Sequence, residues 1–495
     1  MRYLLTAEQM KSGDDKTIHE IGVPSMVLME RAALKSVEAL EQEGLDLSAS
    51  LIVCGSGNNG GDGFAIARML WLKGYHVDVV FVGKEASRSD ETRQQMKILE
   101  NYQVSIDNTI TVREYSIVID AVFGIGITRE IKGAYADIIM QMNRLPGKKA
   151  AIDIPSGIHA SSGQIMGVAF RADVTVTFAC EKLGTFLFPG HEYAGKTIVA
   201  DIGIDPAMFR NDDDVCFTYE PRDLRTLLPK RRPNSHKGTY GKVLMITGSG
   251  GMAGAAYLSA RAAYETGAGL IRIYTEKENQ AILQILLPEA IIKPYAAFDR
   301  EELQQQLDWA DIIAIGCGLG QSSTAANLLT ETVSYCKKPC VIDADGLNLL
   351  AGRTKLIQNG NFLLTPHIKE MARLMKLSVK EVMEKRFAIL PDFVRKFGIV
   401  CALKDTRTLV AANQQPLYLN ASGNAAMAKA GSGDVLTGII TGLLAQGMSL
   451  YEAGKTGVYL HGLAGDEARN EKGSYSVSAS DLTDAISKVL KETEE

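Results

Sequence analysis

No stretch of this chain approaches the roughly 20 consecutive apolar residues that a membrane-spanning helix needs. The opening residues, Met1-Arg-Tyr-Leu-Leu-Thr-Ala-Glu, turn polar at once, so no signal peptide is expected. Charge of one sign is scarce too. A net charge of −5 over 495 residues argues against a nucleic-acid-binding surface. Cysteines number seven, an odd count, and Cys54, Cys317, Cys340 and Cys401 lie in apolar runs. Reduced thiols and a cytoplasmic location are expected rather than a disulfide framework. Cys336 and Cys340 have no partner pair nearby, and the seven histidines include no His-x-x-x-His pair. Zinc spacing is therefore missing. What is present, 46% hydrophobic and 22% charged residues, is the composition of a soluble globular protein.

At about 150 residues per domain the length implies two to four domains. Residues 216–235, with Pro221, Pro229, Lys230-Arg-Arg-Pro233 and Asn234, mix proline with charge and read as a linker. Lys230, Arg231, Arg232, His236 and Lys237 read as its solvated cations. On either side β-rich runs alternate with helix-like segments. Before it come Leu51–Cys54, Val77–Val82, Ser116–Phe123, Ala150–Ile154 and Asp173–Phe178, with helices at Phe64–Lys73 and Ala134–Asn143. After it come Val243–Thr247, Leu270–Tyr274, Asp311–Ile315, Cys340–Asp343, Phe362–Leu364 and Ile399–Leu403. Continuous apolar strands between helices predict parallel sheets covered on both faces. The fold class is α/β in two domains, 1–218 and 225–495. Ligands should then bind in the loops beyond the carboxyl ends of the strands.

The first such loop is Gly55-Ser-Gly-Asn-Asn-Gly-Gly-Asp-Gly63, read as lying between the strand Leu51–Cys54 and a helix from Phe64. Its glycines satisfy G-x-G-x-x-G, which suggests a dinucleotide-binding oxidoreductase. Against this, Phe81-Val-Gly-Lys84 offers no acid at the ribose-reading position, and Asn58, Asn59 and Asp62 exceed what a pyrophosphate turn needs. Amide and carboxylate oxygens suit a metal ion or a polar ligand. Asp120, in Asp120-Ala-Val-Phe-Gly-Ile-Gly-Ile-Thr-Arg-Glu130, is costly to bury unpaired. Asp153-Ile-Pro-Ser-Gly157 brings Asp153 and Ser156 to the same edge of the sheet.

In the second half, Ala430-Gly-Ser-Gly-Asp-Val-Leu-Thr-Gly438 leads into an apolar helical run. Glycines let successive amides converge, and a helix start adds partial positive charge, so Gly431, Ser432 and Gly433 form an anion hole. Asp434 beside it suits a base that takes a hydroxyl proton while phosphate charge develops. The plainer alternative is a helix cap with glycine for tight packing.

Together the three N-terminal motifs resemble the NAD(P)HX epimerase. Ser235-His-Lys-Gly-Thr-Tyr-Gly241, Thr365-Pro-His-Ile-Lys-Glu370 and the Asp434 motif look like the ADP/ATP-dependent NAD(P)HX dehydratase. The whole chain resembles the bifunctional NAD(P)H-hydrate repair family, which implies a Rossmann-like epimerase domain and a ribokinase-like dehydratase domain. By that resemblance Asn58, Asn59, Gly60, Gly61, Asp62, the loop Gly124-Ile125-Gly126-Ile127-Thr128-Arg129-Glu130 and Asp153 would bind NADHX or NADPHX, with Asp153 transferring the proton. Potassium would sit on Asn59, Asp120 and Ser156. In the dehydratase half Ala255, Gly318, His367 and Asp434 would face the hydrate, Asp434 as catalytic base. Lys404, Asp405, Thr406, Arg407, Thr408 and Gly433 would line ADP or ATP, with Mg²⁺ on the phosphates. A homo-oligomer is also implied. Ser56 and Cys317 stand where the family usually has proline, and Asp405 where it has glycine.

Gly190-His-Glu-Tyr-Ala-Gly-Lys-Thr197 spells a P-loop, but Pro189 precedes it and a β-rich run follows, the wrong context. The Met26–Met29 region reads as core or subunit contact. Two further readings stand beside the repair enzyme: a ribokinase-like kinase for a vitamin-precursor alcohol, and a non-catalytic nucleotide- or partner-binding N-terminal half.

Overall fold

The computed structural model describes residues 1–210 and 215–494. The chain forms two compact units, the first Arg2–Val215 and the second from Cys216 onward. Among the described residues no helix is long and apolar enough to cross a membrane.

In the first unit, strands β1 (Arg2–Leu5), β2 (Ala49–Cys54), β3 (His76–Phe81), β4 (Ile106–Asp107), β5 (Ile117–Ala121), β6 (Lys148–Ile152), β7 (Val174–Phe178), β8 (Glu181–Lys182) and β9 (Lys196–Ala200) form. Seven of them make one parallel sheet in the order β4-β3-β2-β5-β6-β7-β9, and β1 pairs with β8. Alternate residues of a strand face opposite sides. Thus Leu51, Val53 and Val118 join one apolar cluster, while Ile52, Cys54 and Ile119 join another on the opposite face. Both sides need covering, and so these runs are apolar throughout. Each such side chain buried completely contributes about 1.5–3 kcal/mol. Chain order reverses between β2 and β5, which opens a crevice at their carboxyl ends.

The second unit contains β10 (Cys216–Thr218), β11 (Lys242–Ile246), β12 (Leu270–Glu276), β13 (Ile291–Tyr295), β14 (Ile312–Ile315), β15 (Cys340–Ile342), β16 (Phe362–Leu364), β17 (Val400–Leu403), β18 (Leu409–Ala411) and β19 (Leu417–Leu419). Their order is β13-β12-β11-β14-β15-β16-β17-β18-β19-β10. The sheet is parallel from β13 to β17, then antiparallel through β18 and β19. The antiparallel extension is absent from the sequence reading, which rests on strands alternating with helices, whereas β17, β18 and β19 follow one another directly.

Two expectations are corrected. Cys216–Thr218, expected as linker, is the buried strand β10 paired with β19, and a helix follows at Leu224–Leu227. The helix expected from Phe64 starts at Asn58, so Asn58–Gly63 form its first turns rather than a loop. Glycine lowers helix propensity but does not forbid it, and packing decides here: a Cβ at Gly63 would lie 2.6 Å from Ala121 Cβ and 2.7 Å from Cys54 Sγ. By contrast, the β-rich run expected after the P-loop spelling is present as β9, preceded by the short helix Gly190–Ala194.

Candidate active sites

In the first unit the crevice is floored by the helix Asn58–Leu72, whose start follows β2 after three residues and has no side-chain cap. A Cβ at Gly60 would collide with the Gly55 carbonyl, so only glycine allows this turn. Asn58 is exposed and Asn59 buried, and neither atom of the Asn59 amide has a hydrogen-bond partner in the fold. An unpartnered buried amide is costly unless a ligand completes it.

Asp120 lies within β5, fully buried, and is satisfied locally. Its Oδ1 accepts from Ser156 Oγ at 2.7 Å and Val122 N–H at 3.1 Å; its Oδ2 accepts from Ser156 N–H at 2.7 Å. Burial pushes its carboxyl up to about 6, while those hydrogen bonds pull it down. Ser156 Oγ also accepts from Phe123 N–H at 2.8 Å, tying the β5 and β6 loops together. Asn59, Asp120 and Ser156 thus offer hard oxygen ligands, one of them orphaned, and this donor set fits a potassium ion. Among the described residues no group of three or more His, Cys, Asp and Glu forms a cluster of the kind that holds a transition metal.

Asp153 follows β6 with φ +67, a strained value for a residue with a side chain. It forms a 2.6 Å ion pair with Lys182, and a Cβ built on Gly124 would lie 3.2 Å from Asp153 Oδ2 and 3.4 Å from Asn59 Cβ. Asn59, Gly124 and Asp153 therefore meet at one point. Asp62 is 8% exposed, and its carboxyl is raised well above the usual range, first by burial and then by Asp153 and Asp14. Asp14, on the helix Ala7–Lys16, is pushed up to about 6 chiefly by burial, with Lys182 opposing. The outer loop is less convergent. Ile127 packs into the core, Thr128 and Arg129 are exposed, and Glu130 pairs with Lys132 at 2.8 Å.

In the second unit the helix Ser432–Ala445 begins at Gly431, whose φ of +91 is a left-handed value, and no side chain caps it. The Ser432 N–H donates to the Lys429 carbonyl at 3.4 Å, and no side chain competes for the other first-turn amides, which suit an anion. Burial pushes the Asp434 carboxyl up to about 6; a hydrogen bond from Cys317 and the charge of Lys404 oppose this, while Asp343 adds to it. Behind Asp434, Asp343 at the end of β15 is 1% exposed. It pairs with Lys404 Nζ at 2.7 Å and accepts from Thr437 Oγ1 at 2.8 Å. Burial works against the Lys404 charge, but Asp343 and Glu370 more than offset it and raise its pKa. A Cβ at Gly433 would stand 3.4 Å from Lys404 Nζ, so the start of this helix and the turn that begins at Lys404 adjoin.

His367 caps the helix Ile368–Met375: its Nδ1 accepts from Glu370 N–H at 3.1 Å, and its backbone bridges Lys404. Burial, Lys404 and Arg373 lower its pKa. A Cβ at Gly318 would lie 2.8 Å from Ala255 Cβ, placing those two residues side by side. Lys404–Thr408 turn from β17 into β18. Asp405 lies 3.7 Å from the largely buried Arg386, which balances its charge. Thr408 Oγ1 donates to the Asp405 carbonyl at 3.2 Å, and Arg407 to the Ala421 carbonyl at 3.0 Å. Thr406 lies within the same turn.

The sequence reading missed Lys182, Asp14, Asp343, Thr437 and His461, whose Nε2 lies 3.3 Å from Ser432 Oγ. A signal for Lys182 existed: Glu181-Lys182 interrupts the run from Val174 to Phe188, directly after a strand. A cavity of about 640 Å³ bordered by Arg353, Lys376 and Phe393 shares no residue with either site.

Residues 243–488 match the family described as NAD(P)H-hydrate dehydratase, and residues 25–184 that described as YjeF-related protein N-terminus. The chain is 36% identical to a bifunctional NAD(P)H-hydrate repair enzyme of Moorella thermoacetica, over 100% of this chain and 97% of the relative. It is 36% identical to the Coxiella burnetii enzyme of the same name, over 94% of each. A ribokinase-like superfamily protein of Enterococcus faecalis superposes with TM-score 0.51 at 29% identity, covering 56% of this chain and 96% of that one. Both halves are matched in one continuous alignment, and the chain belongs to the bifunctional NAD(P)H-hydrate repair enzyme family.

Proposed function

We propose that this chain repairs hydrated nicotinamide cofactors, its first unit epimerising (R)- and (S)-NAD(P)HX and its second dehydrating the S form with ADP or ATP. The observation that carries the reading is Asp434, a half-buried carboxyl raised to about 6 beside an uncapped helix start and the Lys404–Asp343 pair. In its ionised form Asp434 would take the proton of the C6 hydroxyl as that oxygen attacks the terminal phosphorus of the nucleotide. AMP or ADP leaves, and the amides of Gly431, Ser432 and Gly433 would face the phosphoryl oxygens. Loss of phosphate breaks the C6–O bond, with the N1 lone pair supplying the push; loss of a C5 proton restores the dihydropyridine. Mg²⁺ would arrive with the nucleotide phosphates. His367, Ala255 and Gly318 would bound the hydrate, and Lys404–Thr408 the nucleotide.

In the first unit Asp153 would take the C6 hydroxyl proton as the C6–N1 bond opens and its electron pair passes to N1, which is then protonated. Rotation of the resulting aldehyde and reclosure invert C6. Asn59, Asp120 and Ser156 would hold potassium, whose charge would balance the buried Asp120 and order the loops around the substrate. A cytoplasmic location is proposed from the seven cysteines, all buried free thiols.

The test is a mixture of R and S NADHX with ADP or ATP, Mg²⁺ and K⁺, followed by NADH absorbance. Complete recovery of both epimers is expected. Recovery that stops at the S fraction removes the epimerase half of the reading. No recovery, with a stable phosphorylated alcohol formed from another substrate, would make the second unit a kinase.

A further inference from the structure

Lys182 has an environment that a purely structural lysine does not need. It is 1% exposed on β8, and its ammonium has three partners for three protons: Asp153 Oδ1 at 2.6 Å, Thr177 Oγ1 at 2.9 Å and the Phe178 carbonyl at 2.9 Å. Its head is therefore fixed in position and direction, and it cannot rotate away without stranding a buried charge. Asp153 is fixed from the other side. Its backbone N–H donates to the Val176 carbonyl at 2.7 Å, and its φ is +67. Only one of its carboxylate oxygens is engaged by Lys182. The other, Oδ2, faces Gly124 and Asn59, where the absence of a Cβ on Gly124 leaves room beside it. The surroundings are otherwise acidic: Asp153 raises the carboxyls of Asp14 and Asp62, and Lys182 is the opposing charge at both.

We infer that Lys182 is a positioning residue of the epimerase reaction, holding Asp153 by Oδ1 so that Oδ2 meets the C6 hydroxyl of the bound hydrate. The inference rests on the epimerase reading of the first unit. It separates the two oxygens by role, one anchored and one reactive, and it gives the buried ammonium a catalytic consequence that acts only through Asp153.

A double-mutant cycle in the full chain tests it. Epimerisation of (R)-NADHX is measured for wild type, Lys182→Met, Asp153→Asn and the double variant, with excess added wild-type dehydratase activity supplied by an Asp153→Asn chain as coupling enzyme. Lys182→Met is expected to lower kcat by about 100-fold, in the range of a lost proton-transfer arrangement, with KM for (R)-NADHX changed by less than about threefold. The double variant should be no slower than Asp153→Asn alone, because Lys182 has nothing left to position. Removing the whole buried pair is also the change most compatible with folding. Dehydration of (S)-NADHX by each variant reports the second unit independently. Should Lys182→Met alone fail to fold, Lys182→Ala with added ethylamine decides: saturable recovery of kcat supports the inference, and its absence overturns it. Epimerisation within threefold of wild type in Lys182→Met, a change confined to KM, or losses that add in the double variant would each overturn it. A wild-type chain with no epimerase activity would instead overturn the reading beneath it.

Discussion

Asp434 shows how its surroundings suit one residue to the proton transfer proposed for it. A free aspartate is ionised throughout the physiological range and is a weak base. Burial raises this one to about 6, nearer the pH at which a general base is most effective. The sign of the pH dependence follows. The base must be ionised to accept a proton, so dehydratase kcat/KM is expected to fall about tenfold per pH unit below about 6 and to level off above it. A limb that stays near the ordinary carboxylate range would remove Asp434 from that role. Asp434→Asn should lower kcat by about 10²- to 10⁴-fold with (R)-to-(S) epimerisation unchanged. Asp153, Asp120 and Ser156 were legible because each follows or ends a recognisable strand, and Asp434 because it follows a glycine-rich turn that opens an apolar helix. Lys182, Asp343 and Thr437 were not, since their value lies in partners distant along the chain.

The elements that carry the chemistry are helix starts packed tightly against strand ends. Between β2 and the helix Asn58–Leu72 the packing admits no side chain at Gly60. Gly60→Ala is expected to cost about 1–3 kcal/mol as the first turn is pushed off Gly55. Epimerase activity should be lost while dehydratase activity stays near wild type. Thermal unfolding followed with both activity assays checks this; a stable variant with full epimerase activity would contradict the role given to this turn. The sequence placed the glycines and the strand but not the helix start. Glycine disfavours helix in isolation, and the contact of Gly63 with Ala121 and Cys54 overrides that preference. The hairpin strands β18 and β19 escaped for a different reason: they follow β17 with no helix between, and the sequence reading rests on strands alternating with helices.

At the scale of the whole molecule, the two activities use separate residue sets on separate units, linked by a substrate that is the product of one and the reactant of the other. Asp153→Asn chains retain the dehydratase residues, and Asp434→Asn chains retain the epimerase residues. An equimolar mixture of the two variants is therefore expected to recover both epimers of NADHX completely, through free (S)-NADHX. Asp434→Asn by itself should recover none, and the measurement is NADH absorbance at completion. Recovery that halts at the S fraction in the mixture would show that the intermediate is not released.

The sequence by itself determined the α/β class, the parallel strands, and the carboxylates at their ends, because hydrophobic periodicity and glycine spacing are local properties of the chain. It also determined the family, through motifs that keep their order. Only the tertiary structure decided which groups meet: Lys182 on Asp153, Lys404 and Thr437 on Asp343, Asn59 and Asp153 on Gly124. Burial and Coulomb interactions act through space, and a carboxylate's charge and orientation depend on neighbours that the chain brings together only by folding.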